Sequence, residues 1–302
     1  MNSLTETFCL IDNFCKSFEG EWKNSLLTHG TLKRIRQTGI SLSEIMTLVV
    51  FFHQGGHRHF KRYYLDYICD FFQGAFPNLP SYQRFIELMQ RCCVPLVALF
   101  EHLKGQCTGI SFADSTAIAV CHNKRIYRHR VFRGAAERGK TSMGWFYGFK
   151  LHLVINPNGE LIAAKVTPGN KDDRKALYEM KKSLFGNVYA DRGYVSQPLK
   201  ITLLSYGIRL ITRVRSNMKA VKLDAFDSVM LKCRSLIETV NDQLKNLCQI
   251  EHSRHRSLAN FTVNLMAGMV AYCLQPKKPS IKLNRIEAEM LKPFQSTLII
   301  PN

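Results

Sequence analysis

Two aspartates lie where a buried strand would normally carry an apolar side chain. Asp114 is inside the strand-like run at 109–120, and Asp191 directly follows the apolar residues 188–190. Burying an unpaired carboxylate costs several kcal/mol, so a carboxylate in such a place is normally ion-paired, hydrogen-bonded or bound to a metal ion. Ligand groups also gather at the carboxyl ends of strands in parallel or mixed sheets. Both aspartates are therefore candidate ligands of one divalent cation.

A third carboxylate would complete an oxygen site of the kind that Mg²⁺ prefers. Glu238 is the best candidate, because it lies in a helical pattern whose neighbours are mainly apolar. Each acid alone has an ordinary alternative: either aspartate could cap a turn, and Glu238 could be an exposed helix residue. Asp172 and Asp173 are the competing acids, and we interpret them as the N-cap and first turn of a helix.

The elements that must position these acids change in character near residue 108. Before it the chain is helical: Ser41 with Glu44 predicts a capping box, Gly55-Gly56 a helix end, Ser81 another N-cap and Pro95 a kink.

After residue 108 we predict strands at 109–120, 145–156, 161–166, 187–190 and 209–212. Helices are predicted at 171–184, 196–205, 229–247 and 258–273. This order is typical of an α/β domain with a mixed sheet.

The charge of the chain points to a polyanionic partner. There are 42 Lys and Arg residues against 23 Asp and Glu, a formal net charge of +19. Neutralising phosphates releases counterions, so nucleic acid is the favoured partner, with a ribosomal or membrane-surface protein as the alternative. The basic residues do not follow one amphipathic helix, which argues against a membrane surface.

One basic segment, 121–150, has Glu137 as its only acid. Aromatic residues that could stack on splayed bases alternate with its basic ones, namely Tyr127, Phe132, Trp145 and Phe146. The alternative is a solvated hairpin tip, and we favour DNA contact. A second basic patch contains Arg213, Arg215, Lys219 and Lys222.

The ten cysteines include no CxxC pair, so a zinc ribbon is not expected. We interpret them as reduced, buried small hydrophobes. The N-terminal residues show no signal-peptide pattern, and the apolar run at 48–52 is too short to span a bilayer. We therefore expect a cytoplasmic protein.

The acidic motifs resemble those of the DDE transposases of bacterial insertion sequences, which have an RNase H-like catalytic core. The matching segments are FADST around Asp114, YADRGY around Asp191 and the helix around Glu238. Many such transposases carry a helix motif with Tyr, Arg, Glu and Lys at fixed spacing. Arg234, Glu238 and Lys245 have that spacing, whereas Leu231 occupies the tyrosine position. The resemblance covers about residues 108–275.

This resemblance implies an α/β, RNase H-like mixed sheet with flanking helices at 106–275, preceded by an all-helical N-terminal region at 1–105 for DNA-end binding and dimerisation. Residues 276–302 would form a C-terminal tail. Asp114, Asp191 and Glu238 would bind two Mg²⁺ ions, with Mn²⁺ as an alternative, and catalyse both steps of transposition. The first step frees a 3′-OH at the element end, and the second joins that 3′-OH to target DNA.

The expected partner is double-stranded DNA, as terminal inverted repeats and as target, bound by a homo-oligomer in the bacterial cytoplasm at the nucleoid. The residues expected to contact DNA are His122, Lys124, Arg125, Arg138, Lys140, Arg192, Arg234, Lys245 and Arg254. For Arg234, an intrahelical salt bridge with Glu238 is the alternative.

Two other functions remain compatible with the sequence. An RNase H-like nuclease or resolvase would use the same acids and stop after hydrolysis. A non-enzymatic DNA-binding protein would use the helical N-terminal region, and its acids would have no catalytic role.

Overall fold

The computed structural model describes residues 3–29, 34, 38–142, 144–213, 218, 223–251 and 255–282. These residues form two compact units. The helical unit consists of the described residues of Met1–Leu103 and Gln243–Pro276, and the sheet unit of those of Lys104–Asp242 and Lys277–Asn302. The segment 243–276 thus packs with the N-terminal helices, although most of it falls within the segment predicted as catalytic.

Among the described residues, the regular secondary structure of the first unit is all helical, and helices flank the sheet in the second. In chain order, the described helices are α1 (Leu4–Thr28), α2 (Leu42–Gln54), α3 (60–71), α4 (Tyr82–Met89), α5 (Cys93–Leu103), α6 (Asp173–Met180), α7 (Gln197–Leu204), α8 (Ala225–Cys233), α9 (Ser235–Asp242) and α10 (Leu258–Cys273). The middle of α3 and the turn Gln243–Leu247 after α9 are π-helical. No described helix combines the length and apolar character needed to cross a bilayer.

The predicted helix boundaries of the N-terminal region are largely confirmed. Ser41 and Glu44 make both hydrogen bonds of the capping box, and α2 ends at Gln54 with Gly55 as its C-cap and Gly56 at φ 65°. The Ser81 side chain accepts a hydrogen bond from the backbone of Arg84, as predicted for an N-cap. The helix in which Pro95 was predicted to cause a kink is interrupted by a 3₁₀ turn at Gln90–Cys92. This turn contains Arg91, whose carbonyl would accept a hydrogen bond from residue 95 in a continuous α-helix, and proline has no N–H to donate.

The core of the helical unit is formed around α10, which is buried along most of its length and packs against α2 and α5. None of the ten cysteines forms a disulfide. The prediction that most of them are buried is wrong, because only Cys15, Cys92 and Cys248 are. Apolar sequence neighbours did not determine burial, since adjacent residues on a helix lie on different faces.

The described strands of the sheet unit form one mixed sheet. They are β1 (Ile110–Cys121), β2 (Glu137–Thr141), β3 (Gly144–Ile155), β4 (Leu161–Pro168), β5 (Gly186–Ala190) and β6 (Ile208–Thr212). The order is β2-β3-β1-β5-β6, and β4 pairs with the second half of β3. β1 and β3 are antiparallel, whereas β1, β5 and β6 are mutually parallel. The predicted α/β class with a mixed sheet and flanking helices is confirmed.

The hairpin between β3 and β4 is confirmed, and its turn shows why glycine is needed. Gly159 has a φ of 71°, and a Cβ there would lie 2.0 Å from the carbonyl oxygen of Pro279. The backbone N–H of Ile281 donates to the carbonyl of Pro157, so the first part of the predicted tail packs on this turn. Residues 283–302 of the tail lie outside the described residues.

Two elements differ from the prediction. β2 was missed, because its residues ERGKT lack apolar alternation; charged residues are common on strands at the edge of a sheet. The predicted helix 229–247 is broken at Arg234 between α8 and α9, where a short i→i+3 hydrogen bond from Ile237 N to Arg234 O tightens the turn.

Candidate active site

The two predicted aspartates stand side by side where two parallel strands diverge. Ala113 of β1 is in register with Ala190, the last residue of β5. Asp114 and Asp191 are the next residues along each chain, and neighbouring strands lie about 4.8 Å apart. Ala113 and Ala190 pack in the core formed with α6 and α7. Since side chains alternate between faces, we infer that both carboxylates leave the sheet on its other side.

Glu238 is brought to the same region by α9, which packs on β1. Glu238 and Asp191 line one polar pocket of about 420 Å³. Burial raises the pKa of Asp114, and the negative charges of Asp191 and Glu238 add to this shift, so all three acids are close enough to interact electrostatically. The pocket is lined by Ala190, Asp191, Arg192, Arg213, Leu231, Lys232, Arg234, Ser235 and Glu238.

Asp114 is partly buried and has one amide partner. Asn241 Nδ2, one turn after Glu238 on α9, donates to Asp114 Oδ2 at 3.1 Å. Burial raises the pKa of Asp114 from 3.8 to about 6, with repulsion from Asp191 and Glu238 adding to the effect and Arg234 opposing it. The ion-free site therefore disfavours the ionised form of Asp114.

This raised pKa predicts a pH dependence of stability in the presence of a chelator. A folded-state pKa of about 6 above the ordinary 3.8 means that the folded protein holds the proton more tightly. The resulting stabilisation is present below the ordinary pKa and is lost as pH rises through about 6. The loss should be about 3 kcal/mol. We expect urea unfolding to show wild type losing stability relative to Asp114→Asn between about pH 4 and about pH 7; parallel curves for the two proteins would contradict the assignment.

Arg234 and Glu238 form the intrahelical ion pair that the sequence left as an alternative. Arg234 Nη2 lies 2.6 Å from Glu238 Oε1, and the Glu238 side chain is 58% exposed. Within the described residues, no group of three or more His, Cys, Asp or Glu side chains is arranged to hold a metal ion. To bind a metal ion together with Asp114 and Asp191, the Glu238 carboxylate would have to leave its ion pair with Arg234.

Three further cations come from different elements of the pocket. Arg192 follows Asp191, Arg213 follows β6 and Lys232 lies in the last turn of α8. All three are exposed, and the described structure gives none of them a carboxylate partner.

The sequence analysis did not predict Lys232 and Asn241 as site residues, because their positions depend on how α8 and α9 pack on the sheet. Arg215, Lys219 and Lys222 of the predicted second patch lie outside the described residues.

A buried polar network lies on the opposite face of the sheet. Tyr194 is 3% exposed, and its hydroxyl is hydrogen-bonded to Ser115, the residue after Asp114. Asp173 Oδ1 accepts from Lys150 Nζ at 2.9 Å and lies 3.8 Å from Nδ1 of the fully buried His152. The predicted N-cap at Asp172 is confirmed by its bond with the backbone of Arg174. Asp173 is in the first turn of α6 as predicted, and it also forms an ion pair with Lys150.

The basic segment 121–150 divides into exposed and buried aromatic residues. Tyr127 and Trp145 are 87% and 56% exposed, whereas Phe132 and Phe146 are buried and cannot stack on bases as the sequence suggested. Lys124 and Arg125 are exposed on a 3₁₀ helix, Asn123–Arg128, and Arg138 and Lys140 are exposed on β2. His122 accepts a hydrogen bond from the backbone of Lys124 and so caps the 3₁₀ helix.

The remaining predicted DNA contacts fall into different places. Arg192 and Arg234 line the pocket. Lys245 belongs to the helical unit, where it lies 3.1 Å from Glu251. Arg254 lies outside the described residues.

Comparison with known proteins places most of the sheet unit within a known family model. The family model described as a transposase DDE domain matches residues 104–258. Among solved structures, one described as a piggyBac transposase synaptic complex with hairpin DNA aligns over 98% of this chain and 80% of that chain, with 12% identity and a TM-score of 0.48. No curated protein matches the sequence. Because the family model spans more than half of the 302 residues, the chain belongs to the family of transposases with a DDE domain.

Proposed function

We propose that this transposase cleaves DNA at the ends of a bacterial insertion sequence and transfers the freed 3′ ends into target DNA. One observation carries the proposal: Asp114 and Asp191 directly follow Ala113 and Ala190, the last paired residues of two adjacent parallel strands, beside a pocket that Asp191 shares with Glu238. Each of these acids alone has an ordinary structural explanation. Their convergence next to Arg192, Arg213 and Lys232 fits a site for phosphodiester chemistry.

The charge of the site supports a divalent cation, which DDE transposases generally use. Three carboxylates are hard oxygen donors, and the raised pKa of Asp114 reflects burial and mutual repulsion that a cation would relieve. We propose Mg²⁺ held by Asp114, Asp191 and Glu238, with Mn²⁺ as a substitute. Bound there, such ions supply Lewis-acid stabilisation of the oxygens of a phosphodiester.

The chain's own residues would bind and orient the DNA strand. Arg192, Arg213 and Lys232 surround the acids and have no carboxylate partner in the described structure, so they are available for phosphates. Asn241 fixes one oxygen of Asp114 and thereby the direction of its carboxylate. In the ion-free protein Arg234 neutralises Glu238; with Glu238 on an ion, the guanidinium would be free for a phosphate.

Double-stranded DNA is the proposed partner, as terminal inverted repeats and as target. The net charge of +19 and the exposed cations of the segment 122–140 fit a polyanion. Pairing two element ends requires two bound copies, so we propose that the chain acts as a homo-oligomer on DNA. The helical unit is proposed to bind element ends.

The test is a strand-transfer assay with element-end DNA, both uncut and pre-cut, in Mg²⁺, Mn²⁺, Ca²⁺ or chelator. We expect nicks with 3′-OH ends and joined products only with Mg²⁺ or Mn²⁺. Glu238→Gln should lose both activities, whereas Asp242→Asn, an exposed acid one turn further on the same helix, should retain them.

The outcomes separate the alternatives. Cleavage without joining of pre-cut ends would indicate a nuclease or resolvase. Binding without any cleavage in Mg²⁺ or Mn²⁺ would indicate a DNA-binding protein without catalysis. Full activity of Glu238→Gln would remove Glu238 from the proposed site.

A further inference from the structure

The side chain of Trp145 is exposed to solvent near the edge of the sheet. It lies on β3 opposite Lys140 of the edge strand β2 and is 56% exposed. Its neighbour Phe146 points the other way, where its ring lies 2.6 Å from the Cβ position of Gly139. The fold thus buries Phe146 against a glycine and leaves the larger indole in solvent, where it is accessible to a ligand.

Two cations are held against the indole ring. The guanidinium carbon of Arg138 lies 5.5 Å and Lys140 Nζ 5.7 Å from its centroid. Arg138 and Lys140 are two residues apart on β2, so both project on the face that carries Trp145. Neither cation has a carboxylate partner in the described structure, which leaves their charge available to a ligand. An aromatic face flanked by free cations matches a base with its adjacent phosphates.

The neighbouring 3₁₀ helix extends the same surface. Asn123 Nδ2 donates to the carbonyl oxygen of Trp145 at 2.7 Å, which ties this helix to the Trp145 backbone. Tyr127 on that helix is 87% exposed. Five more exposed cations lie between β1 and β2, namely Lys124, Arg125, Arg128, Arg130 and Arg133. The surface therefore combines two exposed aromatic rings with cations and, in this segment, Glu137 as its only acid.

The chemistry of this surface selects unpaired bases over duplex DNA. In a duplex, base faces are stacked on one another, so an indole can reach only the backbone and groove edges. An unpaired base exposes its face and can stack on tryptophan, which contributes about 1–3 kcal/mol per base. We propose that Trp145, with Arg138 and Lys140, forms a platform that binds an unpaired base of single-stranded DNA. The proposal rests on the proposed function only in taking DNA as the partner.

The chain offers a direct spectroscopic test, because it contains two tryptophans, Trp22 and Trp145. The full-length Trp22→Phe variant leaves Trp145 as the sole indole fluorophore. It is titrated, in chelator, with oligothymidylate of about twelve nucleotides and with a duplex of equal length. We expect saturable quenching of Trp145 emission by the single strand and little quenching by the duplex.

The second test measures the affinity of full-length variants for single-stranded DNA. Trp145→Ala should weaken single-strand binding about tenfold, and Trp145→Phe should restore part of it. Tyr206→Ala is the matched control, because Tyr206 is also exposed and also has a lysine, Lys181, over its ring at 4.8 Å. It should bind like wild type.

Unchanged Trp145 emission, equal quenching by duplex and single strand, or wild-type affinity of Trp145→Ala would overturn the platform. If Trp145→Ala does not fold, the titration of Trp22→Phe decides alone. Because these measurements exclude divalent ions, they do not depend on the acids of the active site. Quenching without any cleavage in Mg²⁺ would overturn the catalytic proposal and leave the platform intact.

Discussion

Asp114→Asn should abolish DNA cleavage and strand transfer while leaving DNA binding in place. Asparagine keeps the oxygen that accepts from Asn241 and removes the charge that a divalent ion needs. We expect the cleavage rate to fall by roughly a thousandfold or more, as when a preorganised electrostatic group is removed from an active site. Rates are measured under single-turnover conditions with Mg²⁺, and affinity for the same DNA is measured in chelator.

The control for Asp114→Asn is Asp172→Asn. In the sequence analysis Asp172 was an alternative candidate for the acidic site, and in the structure it is the N-cap of α6. Asparagine caps helices about as well as aspartate, so this variant should keep its activity. Equal loss in both variants, or cleavage that persists in Asp114→Asn, would refute the assignment of Asp114. Weakened binding in chelator would contradict a purely catalytic role, because removing a negative charge should not weaken contact with phosphate.

Arg209→Met should produce a large loss of stability. Asp227 of α8 is fully buried, and its carboxylate accepts from Tyr189 Oη at 2.8 Å and lies 2.6 Å from Arg209 Nη2. Removing Arg209 leaves a buried carboxylate without its cation, which costs about 3 kcal/mol or more. The free energy of unfolding from urea titration measures this loss. Because α8 carries Lys232 and leads into α9, we also expect reduced cleavage.

A double-mutant cycle isolates this interaction. Asp227→Asn removes the charge and keeps a hydrogen-bonding group for Tyr189, so Arg209→Met should cost much less in that background. Arg84→Met is the matched control, since Arg84 pairs with Glu87 where both side chains are more than half exposed. That control should change stability by less than about 1 kcal/mol. An equally small effect at Arg209 would show that its ion pair with the buried Asp227 carboxylate does not stabilise the fold.

The sequence determined the elements whose signals are local. A capping box needs only Ser41 and Glu44 at the right spacing, and the turn before β4 needs a residue that tolerates positive φ at Gly159. The apolar runs around Asp114 and Asp191 predicted one strand that contains an acid and a second strand that is followed by one. These features depend on neighbours within a few residues, so the strands and the candidate acids were predicted before the fold was known.

Only the tertiary structure decided how those elements meet. The register of β1 with β5 sets Asp114 beside Asp191, and the break at Arg234 sets which side of α9 faces β1. The pocket cation Lys232, the amide of Asn241 and the edge strand β2 had no local signal, and neither did the exposure of Trp145 on β3. Strand register and helix packing arise from contacts between residues far apart in the chain, and such contacts leave no periodic pattern in one sequence.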